Sequence, residues 1–329
     1  MEPVRIDNTR YERVPQRRCG SSGLKLPAIS LGAWETFGGY RGPEIAKQCI
    51  HAAFDLGIFH FDLANNYGRP PGQAESVVGP ILRQLPREEL IVSTKAGFLM
   101  WPGPFGQGCS RKSLLSSLDQ SLQRLGLDYV DIFYAHRFDA ETPLEETLGA
   151  LNDIVRRGKA LYAGLSNYSG AQFNEAIELA RQRNYGPIVV EQSSYSIFNR
   201  QIEGELLPSV ARAGLGLIAF SPLAQGLLSE KYLGGIPEDS RVAQMWTPEQ
   251  RATIGEQMRG KIARLNDFAR SRGQTLPQMA LAWILRRPEV TSALIGASSS
   301  AQIRENAESL RNLNFSHSEL FEIDRIVSS

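Results

Sequence analysis

One stretch of the chain, residues 90–136, decides the fold, because a strand, a helix and a second strand follow one another in it. LIVSTKA (90–96) and YVDIFYAH (129–136) are apolar on both faces, as parallel strands between a core and covering helices are. RKSLLSSLDQSLQRL (111–125) places its leucines at helical spacing and is followed by Gly126, a favourable residue after a helix. The stretch therefore predicts two parallel strands joined by a crossover helix.

The same alternation continues on both sides of this stretch. Six further apolar runs are predicted to be strands, and they are 26–34, 58–64, 160–167, 188–195, 216–222 and 291–298. Helices are predicted at 44–56 and 143–157 and, as a pair, within 300–328. Strand and helix alternate about eight times without a change in composition, which predicts an α/β protein with a single (β/α)8 TIM barrel, one domain over residues 1–329.

A doubly wound open sheet is the alternative architecture. That fold is expected to carry a G-x-G-x-x-G turn after its first strand, and LGAWETFGGY (31–40) does not match this pattern. Two segments lie outside the repeat. Residues 11–24 predict a short N-terminal hairpin that closes the bottom of the barrel, and residues 223–257 form a long loop after the seventh strand. Long loops in compact domains are often functional, and this one leaves the barrel end that carries active sites.

Composition excludes several classes of protein. Of the 329 residues, 42% are hydrophobic and 22% are charged, which is typical of a globular protein. The net charge of +1 gives no reason to expect nucleic acid or an anionic membrane as a partner. No apolar run approaches the roughly 20 residues that span a bilayer. The polar N-terminus is unlike a secretory signal, and the separated Cys19, Cys49 and Cys109 are expected to be reduced thiols, so a cytoplasmic protein is predicted.

Four chemically capable residues fall at the ends of predicted strands. Asp62 ends the second strand and Tyr67 follows it, while Lys95 ends the third strand and His136 the fourth. A barrel brings its strand ends to one mouth, so these residues are expected to meet in one pocket. Each also has an ordinary structural interpretation: Asp62 as a turn cap, Tyr67 as a rim aromatic and His136 as a hydrogen-bonded histidine. Lys95 at the end of an apolar strand needs solvent or a counter-charge, for which Asp62 is the candidate.

Together the four residues predict a proton-donating site for carbonyl reduction. Hydride addition to a carbonyl leaves an alkoxide that needs a proton, and a tyrosine with a pKa near ~10 is a poor donor at neutral pH. A neighbouring cation lowers such a pKa, and Lys95 is expected to act in this way on Tyr67. Asp62 is expected to hold the lysine charged, and His136 to bond the carbonyl oxygen.

These motifs resemble the aldo-keto reductases over nearly the whole chain, from about residue 17 to 327. The matching stretches are FDLANNYG (61–68), STKAG (93–97), GLSN (164–167), VVEQSSY (189–195), FSPLAQGLLSEKY (220–232) and LIGASSSAQIREN (294–306). Within the family, the chain is similar to the branch of bacterial L-glyceraldehyde 3-phosphate reductases and potassium channel β-subunits. The resemblance implies NADPH-dependent reduction of small aldehydes to alcohols. The candidate substrates are L-glyceraldehyde 3-phosphate, methylglyoxal and aromatic aldehydes.

The resemblance also implies which residues bind NADPH or NADP+. Three residues are expected to hold the nicotinamide carboxamide, namely Ser166, Asn167 and Gln192, and Phe220 to stack on the ring. The remaining expected cofactor contacts are Trp34, Asp62, Ser221, Pro222, Leu223, Ala224, Gln225, Gly226, Lys231, Arg241, Ile295, Gly296, Ser298, Gln302, Glu305 and Asn306. Lys231 and Arg241 are expected to reach the phosphates, and an arginine is the usual device for a 2′-phosphate.

The substrate pocket is expected to be lined by aromatic side chains together with two polar residues of the fourth strand end. Its predicted members are Trp34, Phe37, Tyr67, Trp101, His136 and Arg137, with Phe105 as a further candidate. Aromatic walls exclude water and strengthen polar contacts inside a site. Arg137 is a candidate for attracting a phosphate or carboxylate of the substrate, and its ordinary interpretation is a surface salt-bridge partner.

Three other functions compete with a reductase. The first is an NADPH-binding redox sensor or auxiliary subunit of a membrane complex; the channel β-subunits carry Asn at the strand-four position, so His136 favours a reductase. A metal-dependent hydrolase needs clustered ligands, and the four histidines are not clustered, so no metal is predicted. A Schiff-base aldolase would use Lys95 but leaves the cofactor motifs unexplained. The similar branch also implies a homo-oligomer, a tetramer or an octamer.

Overall fold

A computed structural model describes residues 7–39, 41–186, 188–238, 240–252 and 254–329, apart from the side chains of Asn8, Arg241 and Met245. Two short strands, β1 (Gln16–Arg18) and β2 (Lys25–Pro27), form an antiparallel pair. Eight parallel strands close into a barrel. They are β3 (Ile29–Gly32), β4 (His60–Asp62), β5 (Ile91–Ala96), β6 (Val130–Ala135), β7 (Ala160–Ser166), β8 (Ile188–Ser194), β9 (Gly216–Phe220) and β10 (Val290–Ile295).

Helices join successive strands and cover the outside of the barrel. The described helices are α1 (Pro43–Asp55), α2 (Gln73–Leu82), α3 (Arg111–Leu125), α4 (Leu144–Arg156), α5 (Gly170–Gln182), α6 (Leu206–Ala213), α7 (Arg241–Met245), α8 (Pro248–Ala252), α9 (Glu256–Ser271), α10 (Leu276–Leu285), α11 (Ser300–Ala307) and α12 (His317–Ser328). None of these described helices combines the length and the apolar character that a membrane span requires. Neighbouring strands pair in chain order, and β10 closes the barrel against β3. The predicted (β/α)8 TIM barrel is thereby confirmed.

The third helix illustrates how local sequence sets these elements. The side chain of Ser110 accepts a hydrogen bond from the backbone of Ser113 and so caps α3. The helix stops at Gly126, which adopts the left-handed conformation with φ of 66°. Leu114, Leu118 and their helical neighbours are buried against the barrel. The predicted bounds of this helix agree with the structure, and α1 and α4 begin and end within one residue of their predicted bounds.

The hydrophobic core has an inner and an outer part. The outer part fills the space between strands and helices and is the larger cluster. The inner part lies inside the barrel and includes Ile132, Tyr134, Val190 and Ile218. A packed interior of this kind is normal for a (β/α)8 barrel, which is a core and not a channel.

The N-terminal hairpin lies a few residues later than the sequence suggested. Residues 8–12 form a 3-10 helix, and the strands that pair are β1 and β2, so the predicted first strand 26–34 is split. Pro27 ends the hairpin, and β3 starts two residues later. The apolar side chains of Cys19, Leu24 and Leu26 pack into the inner cluster, which supports the expectation that the hairpin closes the barrel bottom.

The long segment after β9 is also more ordered than a loop. Residues 223–257 contain α7, α8 and the beginning of α9, together with two 3-10 turns. Tyr232, Val242 and Ile254 form a small buried cluster of their own within it. The indole nitrogen of Trp246 donates a hydrogen bond of 3.1 Å to the amide oxygen of Gln225, which ties this segment to the turn after β9. All three cysteines are buried and unpaired in the structure.

Two helical glycines provide a test of the helix packing. A methyl group added at Gly79 in α2 would lie 2.5 Å from the carbonyl oxygen of Leu125, at the end of α3. Gly79→Ala is therefore expected to lower the free energy of unfolding by about 1–3 kcal/mol through overpacking. Gly260 in α9 has nothing within 4 Å of that position, so Gly260→Ala should raise stability by about 0.5–1 kcal/mol. Urea unfolding of both variants checks this, and equal shifts would contradict the proposed close contact.

Candidate active site

The four residues that the sequence singled out meet at the mouth of the barrel. Asp62 is the last residue of β4, Lys95 lies one residue before the end of β5, and His136 directly follows β6. Tyr67 lies in the segment after β4, and its ring centroid is 5.8 Å from that of His136. The convergence that was expected from barrel geometry is therefore present.

The centre of the site is an ion pair with no exposure to solvent. Nζ of Lys95 lies 2.5 Å from Oδ2 of Asp62 and also donates to the carbonyl oxygen of Leu63 at 2.7 Å. Oδ1 of Asp62 accepts from Oγ of Ser93 at 2.6 Å and from Nε2 of Gln192 at 3.1 Å. Burial lowers the pKa of Lys95, while the charge of Asp62 opposes this shift. The additional donors satisfy the carboxylate, which a buried ion pair requires.

Tyr67 lies beside this ion pair. Its hydroxyl oxygen is 3.5 Å from Nζ of Lys95, which is long for a hydrogen bond. Burial raises the pKa of Tyr67 well above its usual value, and the negative charge of Asp62 raises it further. The expected lowering of this pKa by Lys95 is therefore not seen, because burial and the charge of Asp62 both act to raise it. The phenol consequently stays protonated at neutral pH, as a proton donor must.

His136 faces Tyr67 and is packed from its other side by Phe98, whose ring centroid is 4.6 Å away. Burial lowers the pKa of His136 well below its usual value, and the charges of Lys95 and Arg137 act in the same direction. Its Nδ1 is buried and has no hydrogen-bond partner among the described residues. The imidazole is therefore neutral at neutral pH, and neither ring nitrogen is held by a described residue.

The three residues predicted to hold a carboxamide form one hydrogen-bonded group with the site. Oγ of Ser166 donates to the carbonyl oxygen of Gln192 at 2.9 Å. Nδ2 of Asn167 donates to the carbonyl oxygen of His136 at 2.9 Å and to Ser166 at 3.0 Å. Gln192 in turn contacts Asp62, so this group is continuous with the buried ion pair.

The turn after β9 holds several residues in an unusual backbone conformation. Ser221, Ala224 and Gln225 have φ values of 52°, 47° and 59° without being glycine, and Asn167 on β7's loop has 59°. Such residues are uncommon and cluster at functional sites. Phe220, Ser221, Leu223, Ala224 and Gly226 are each partly exposed, Pro222 is buried and Gln225 is exposed. The segment predicted to contact a pyrophosphate is thus a strained turn at the mouth.

The predicted adenosine-contacting residues lie around the start of α11. The backbone nitrogen of Ser298 donates to the side-chain oxygen of Gln302 at 2.8 Å, and Glu305 accepts from Thr275. Asn306 is buried, while Gly296, directly after Ile295 of β10, is exposed. Lys231 is exposed in a 3-10 turn. The side chain of Arg241, the first residue of α7, lies outside the described part of the structure, so its predicted phosphate contact stays a prediction.

Aromatic side chains surround the mouth. Trp34 is 40% exposed, Phe98 38% and Phe105 49%, which is high for residues of this size, and Trp101 is half-buried. Exposed aromatic groups beside a polar centre are typical of a ligand site. Phe37 was also predicted here, but it is 1% exposed and belongs to the outer core. It follows the mouth residue Trp34 by three positions, and the turn between them directs it inward.

Arg137 also lies at the mouth, directly after His136. Its Nε donates to the carbonyl oxygen of Gly97 at 3.0 Å, and its guanidinium carbon is 5.6 Å from the ring centroid of Phe98. Its two terminal nitrogens make no hydrogen bond or salt bridge within the described ranges. Arg137 is therefore anchored through Nε and presents two further donor nitrogens, in contrast to a surface salt-bridge partner.

Sequence reasoning missed two residues that the site uses and one buried carboxyl beside it. Ser93 and Phe98 contact Asp62 and His136, and Glu191 is a fully buried carboxyl next to Gln192. Ser93 precedes Lys95 by two residues, so the period-two alternation of a strand could have assigned both to one face. Phe98 and Glu191 carry no such signal, because a loop aromatic and an outward strand residue acquire their roles only through packing.

Family comparison is consistent with this geometry. The Aldo/keto reductase family model matches residues 28–328, and the chain belongs to this family. It is accordingly an oxidoreductase, and the family generally uses nicotinamide cofactors. No group of three or more His, Cys, Asp or Glu residues suited to a metal ion occurs in the described residues.

Individual relatives are similar over almost their whole length. The chain is 50% identical over 326 residues to L-glyceraldehyde 3-phosphate reductase of Escherichia coli strain K12, which covers 97% of this chain and 94% of the relative. The protein of the same name from Escherichia coli O157:H7 has the same identity and coverage. A probable voltage-gated potassium channel subunit beta of Arabidopsis thaliana is 39% identical over 302 residues, with 89% and 90% coverage.

The buried carboxyl of Glu191 predicts a pH dependence of stability. Burial raises its pKa from 4.5 to about 8, although hydrogen bonds from Ser193 and the backbone act against this. The folded chain therefore keeps a proton that the unfolded chain releases above pH 4.5, so stability falls as the pH rises toward 8. We expect Glu191→Gln to remove this fall, which has a slope of at most about 1.4 kcal/mol per pH unit.

Urea unfolding between pH 4.5 and 8 measures this effect. Glu175→Gln, at an exposed position of α5, is the matched control, and its free energy of unfolding should depend on pH as that of the parent chain does. Parallel curves for the parent chain and Glu191→Gln would show that the carboxyl is not protonated in the folded state.

Proposed function

We propose that the chain reduces small aldehydes to alcohols with NADPH, and that Tyr67 donates the proton. The single observation that carries this proposal is the meeting of Asp62, Lys95, Tyr67 and His136 at an aromatic-walled mouth. A buried ion pair, a protonated phenol and a neutral imidazole form a site that can bind a carbonyl and donate a proton to it.

The residues at the mouth fit a nicotinamide dinucleotide. The unpartnered Nδ1 of His136 and the strained turn at 221–225 are both unexplained by the protein alone. Ser166, Asn167 and Gln192 would hold the carboxamide, Phe220 would stack on the ring, and the 221–226 turn would contact the pyrophosphate. The start of α11 would bind the adenosine end, with Lys231 and Arg241 supplying positive charge that favours NADPH. The nicotinamide, when bound, supplies the hydride to the carbonyl carbon.

The protein residues then provide the proton and hold the carbonyl. His136, as a neutral imidazole, hydrogen-bonds the carbonyl oxygen and fixes the aldehyde beside Tyr67. The phenol of Tyr67 gives its proton to that oxygen as negative charge develops there. The ammonium of Lys95, 3.5 Å from the phenol oxygen, stabilises the phenolate that this transfer leaves. Asp62 keeps Lys95 charged through the 2.5 Å contact. The aromatic side chains of the mouth exclude water.

Arg137 supports a phosphorylated aldehyde as substrate. Two relatives are named L-glyceraldehyde 3-phosphate reductase, and a phosphate is a preferred partner of a guanidinium with free terminal nitrogens. We therefore favour L-glyceraldehyde 3-phosphate over methylglyoxal and aromatic aldehydes, which are the other candidates. One barrel domain, a cytoplasmic location and assembly as a tetramer or octamer stay predictions.

Substitution of Tyr67 tests the proton donor. Tyr67→Phe removes the hydroxyl and is expected to lower kcat by about a hundredfold or more, since general acids contribute 10²–10⁴-fold. NADPH affinity should change little, because the ring and the packing against His136 remain. Consumption of NADPH at 340 nm and a fluorescence titration of NADPH binding measure the two effects. Tyr185→Phe outside the mouth is the control, and undiminished turnover by Tyr67→Phe would exclude Tyr67 as the acid.

A second substitution tests the substrate class. Arg137→Gln is expected to lower kcat/KM for L-glyceraldehyde 3-phosphate by about 10- to 100-fold, the worth of a charge-assisted hydrogen bond. L-Glyceraldehyde lacks the phosphate, so kcat/KM for this substrate should fall much less. Steady-state rates with the two substrates give the comparison. An equal loss for both aldehydes would mean that Arg137 acts on the site as a whole and not on the phosphate.

A redox-sensing or auxiliary role is the second candidate, because one relative is a probable potassium channel subunit beta. Such a protein would bind NADPH tightly and turn it over slowly. Multiple turnovers on any of the three aldehydes would favour the reductase, whereas tight binding without turnover would favour the sensor.

A further inference from the structure

A chain of buried polar side chains runs from the ion pair down through the barrel. Oγ of Ser93, which donates to Asp62 at 2.6 Å, lies 3.0 Å from Nε2 of His60. Nδ1 of His60 lies 2.8 Å from Oγ of Ser30, and Ser30 lies 2.6 Å from Oγ of Ser292. Ser292 donates to the carbonyl oxygen of Pro27, the last residue of the hairpin, at 2.7 Å.

This row of hydrogen-bonded side chains does not conduct protons to solvent. Ser30, His60, Ser93 and Ser292 are all 0% exposed, and the last contact is a peptide carbonyl, which cannot pass a proton on. Hydrogen-bonded groups in such an environment are strong and costly to leave unpaired. The arrangement is therefore suited to fixing the position of its members.

The direction of the hydrogen bonds follows from the carboxylate. Asp62 can only accept, so the one proton of Ser93 points to it, and Oγ of Ser93 must accept at its contact with His60. Nε2 of His60 is therefore the protonated nitrogen. Burial lowers the pKa of His60 to about 4, so the ring is neutral at neutral pH and its Nδ1 accepts from Ser30. Ser30 has a single proton to share between His60 and Ser292.

We propose that His60 is a positioning residue for the reductase, acting through Ser93 to hold Asp62, and thereby Lys95, in place beside Tyr67. The N–H at Nε2 occupies the lone pair of Ser93 and prevents its hydroxyl from turning away from Asp62. Without this contact Asp62 keeps Gln192 and Lys95 but loses a fixed donor on Oδ1. Lys95, already 3.5 Å from the phenol oxygen, would then lose its defined position.

The protonation of His60 can be tested without any turnover. Nitrogen-15 NMR of the labelled chain at neutral pH distinguishes the two ring nitrogens, and the resonances lost in His60→Asn assign those of His60. The expected result is a proton on Nε2, with Nδ1 unprotonated. A proton on Nδ1 alone, or rapid exchange between the two tautomers, would overturn the proposal.

A kinetic test, which rests on the proposed function, compares the kcat of two substitutions of His60. Gln places its amide nitrogen near the position of Nε2, whereas Asn reaches only toward Nδ1. His60→Asn and Ser93→Ala are expected to lower kcat about tenfold, the worth of one hydrogen bond, and to leave the NADPH dissociation constant within about twofold. His60→Gln should restore most of the turnover.

Ser209→Ala is the control for loss of a buried hydrogen bond, because the hydroxyl of this buried serine of α6 accepts from Arg212. Thermal unfolding of each variant checks that it is folded, and Ser93→Ala tests the same link if His60→Asn does not fold. Parental kcat in Ser93→Ala, or a His60→Gln variant as slow as His60→Asn, would overturn the proposal. If the parent chain reduces none of the aldehydes, the proposed function fails, and the nitrogen spectrum alone decides the position of the His60 proton.

Discussion

The ion pair of Lys95 and Asp62 is the interaction on which the site depends. Both side chains are fully buried, so each would carry a desolvation cost of several kcal/mol without the other. Their mutual attraction offsets this cost only because further groups complete the hydrogen bonds. Ser93 and Gln192 donate to the carboxylate, and the carbonyl of Leu63 accepts from the ammonium. Three strands of the barrel, β4, β5 and β8, are thereby tied to one pair of charges.

This constraint extends into the barrel interior. The inner face is apolar at Ile132, Val190 and Ile218, while the hydrogen-bonded series from Asp62 to Ser292 follows β3, β4, β5 and β10. A polar group in the barrel interior is tolerated only where it is hydrogen-bonded, so each member requires the next. This row of side chains ends at Pro27, because the carbonyl oxygen of this hairpin residue accepts the hydrogen bond that Ser292 donates.

Much of this architecture could be predicted from sequence. Apolar runs alternating with helical patterns predict the barrel, because strand and helix periods differ and each strand is buried on both faces. The positions of Asp62, Lys95 and His136 follow, since strand ends of a barrel share one mouth. Tyr67 lies in a loop, and its place beside Lys95 depended on the chain path that packing selects.

Features that depend on three-dimensional packing could not be predicted in this way. Phe37 and Trp34 are both aromatic residues after the first strand, and only the turn between them places one in the core and the other at the surface. The register of the hairpin depends on contacts with the barrel bottom. The pKa of Tyr67 depends on its burial and on the nearby charge of Asp62, which no spacing of residues encodes.

The raised pKa of Tyr67 also bears on how the proton is transferred. A phenol whose pKa is raised holds its proton at neutral pH, so the proposed acid is in the form that reduction needs. The reverse oxidation would begin with a phenolate as base, and burial beside the negative charge of Asp62 makes that form costly. The neutral His136 adds no positive charge that would stabilise a phenolate. Lys95 is then the only charge at the centre of the described site that favours the anion, and it is already engaged by Asp62. The same cost makes the phenol a weak acid, so its proton moves only as negative charge develops on the carbonyl oxygen, because an alkoxide is a stronger base than a phenolate.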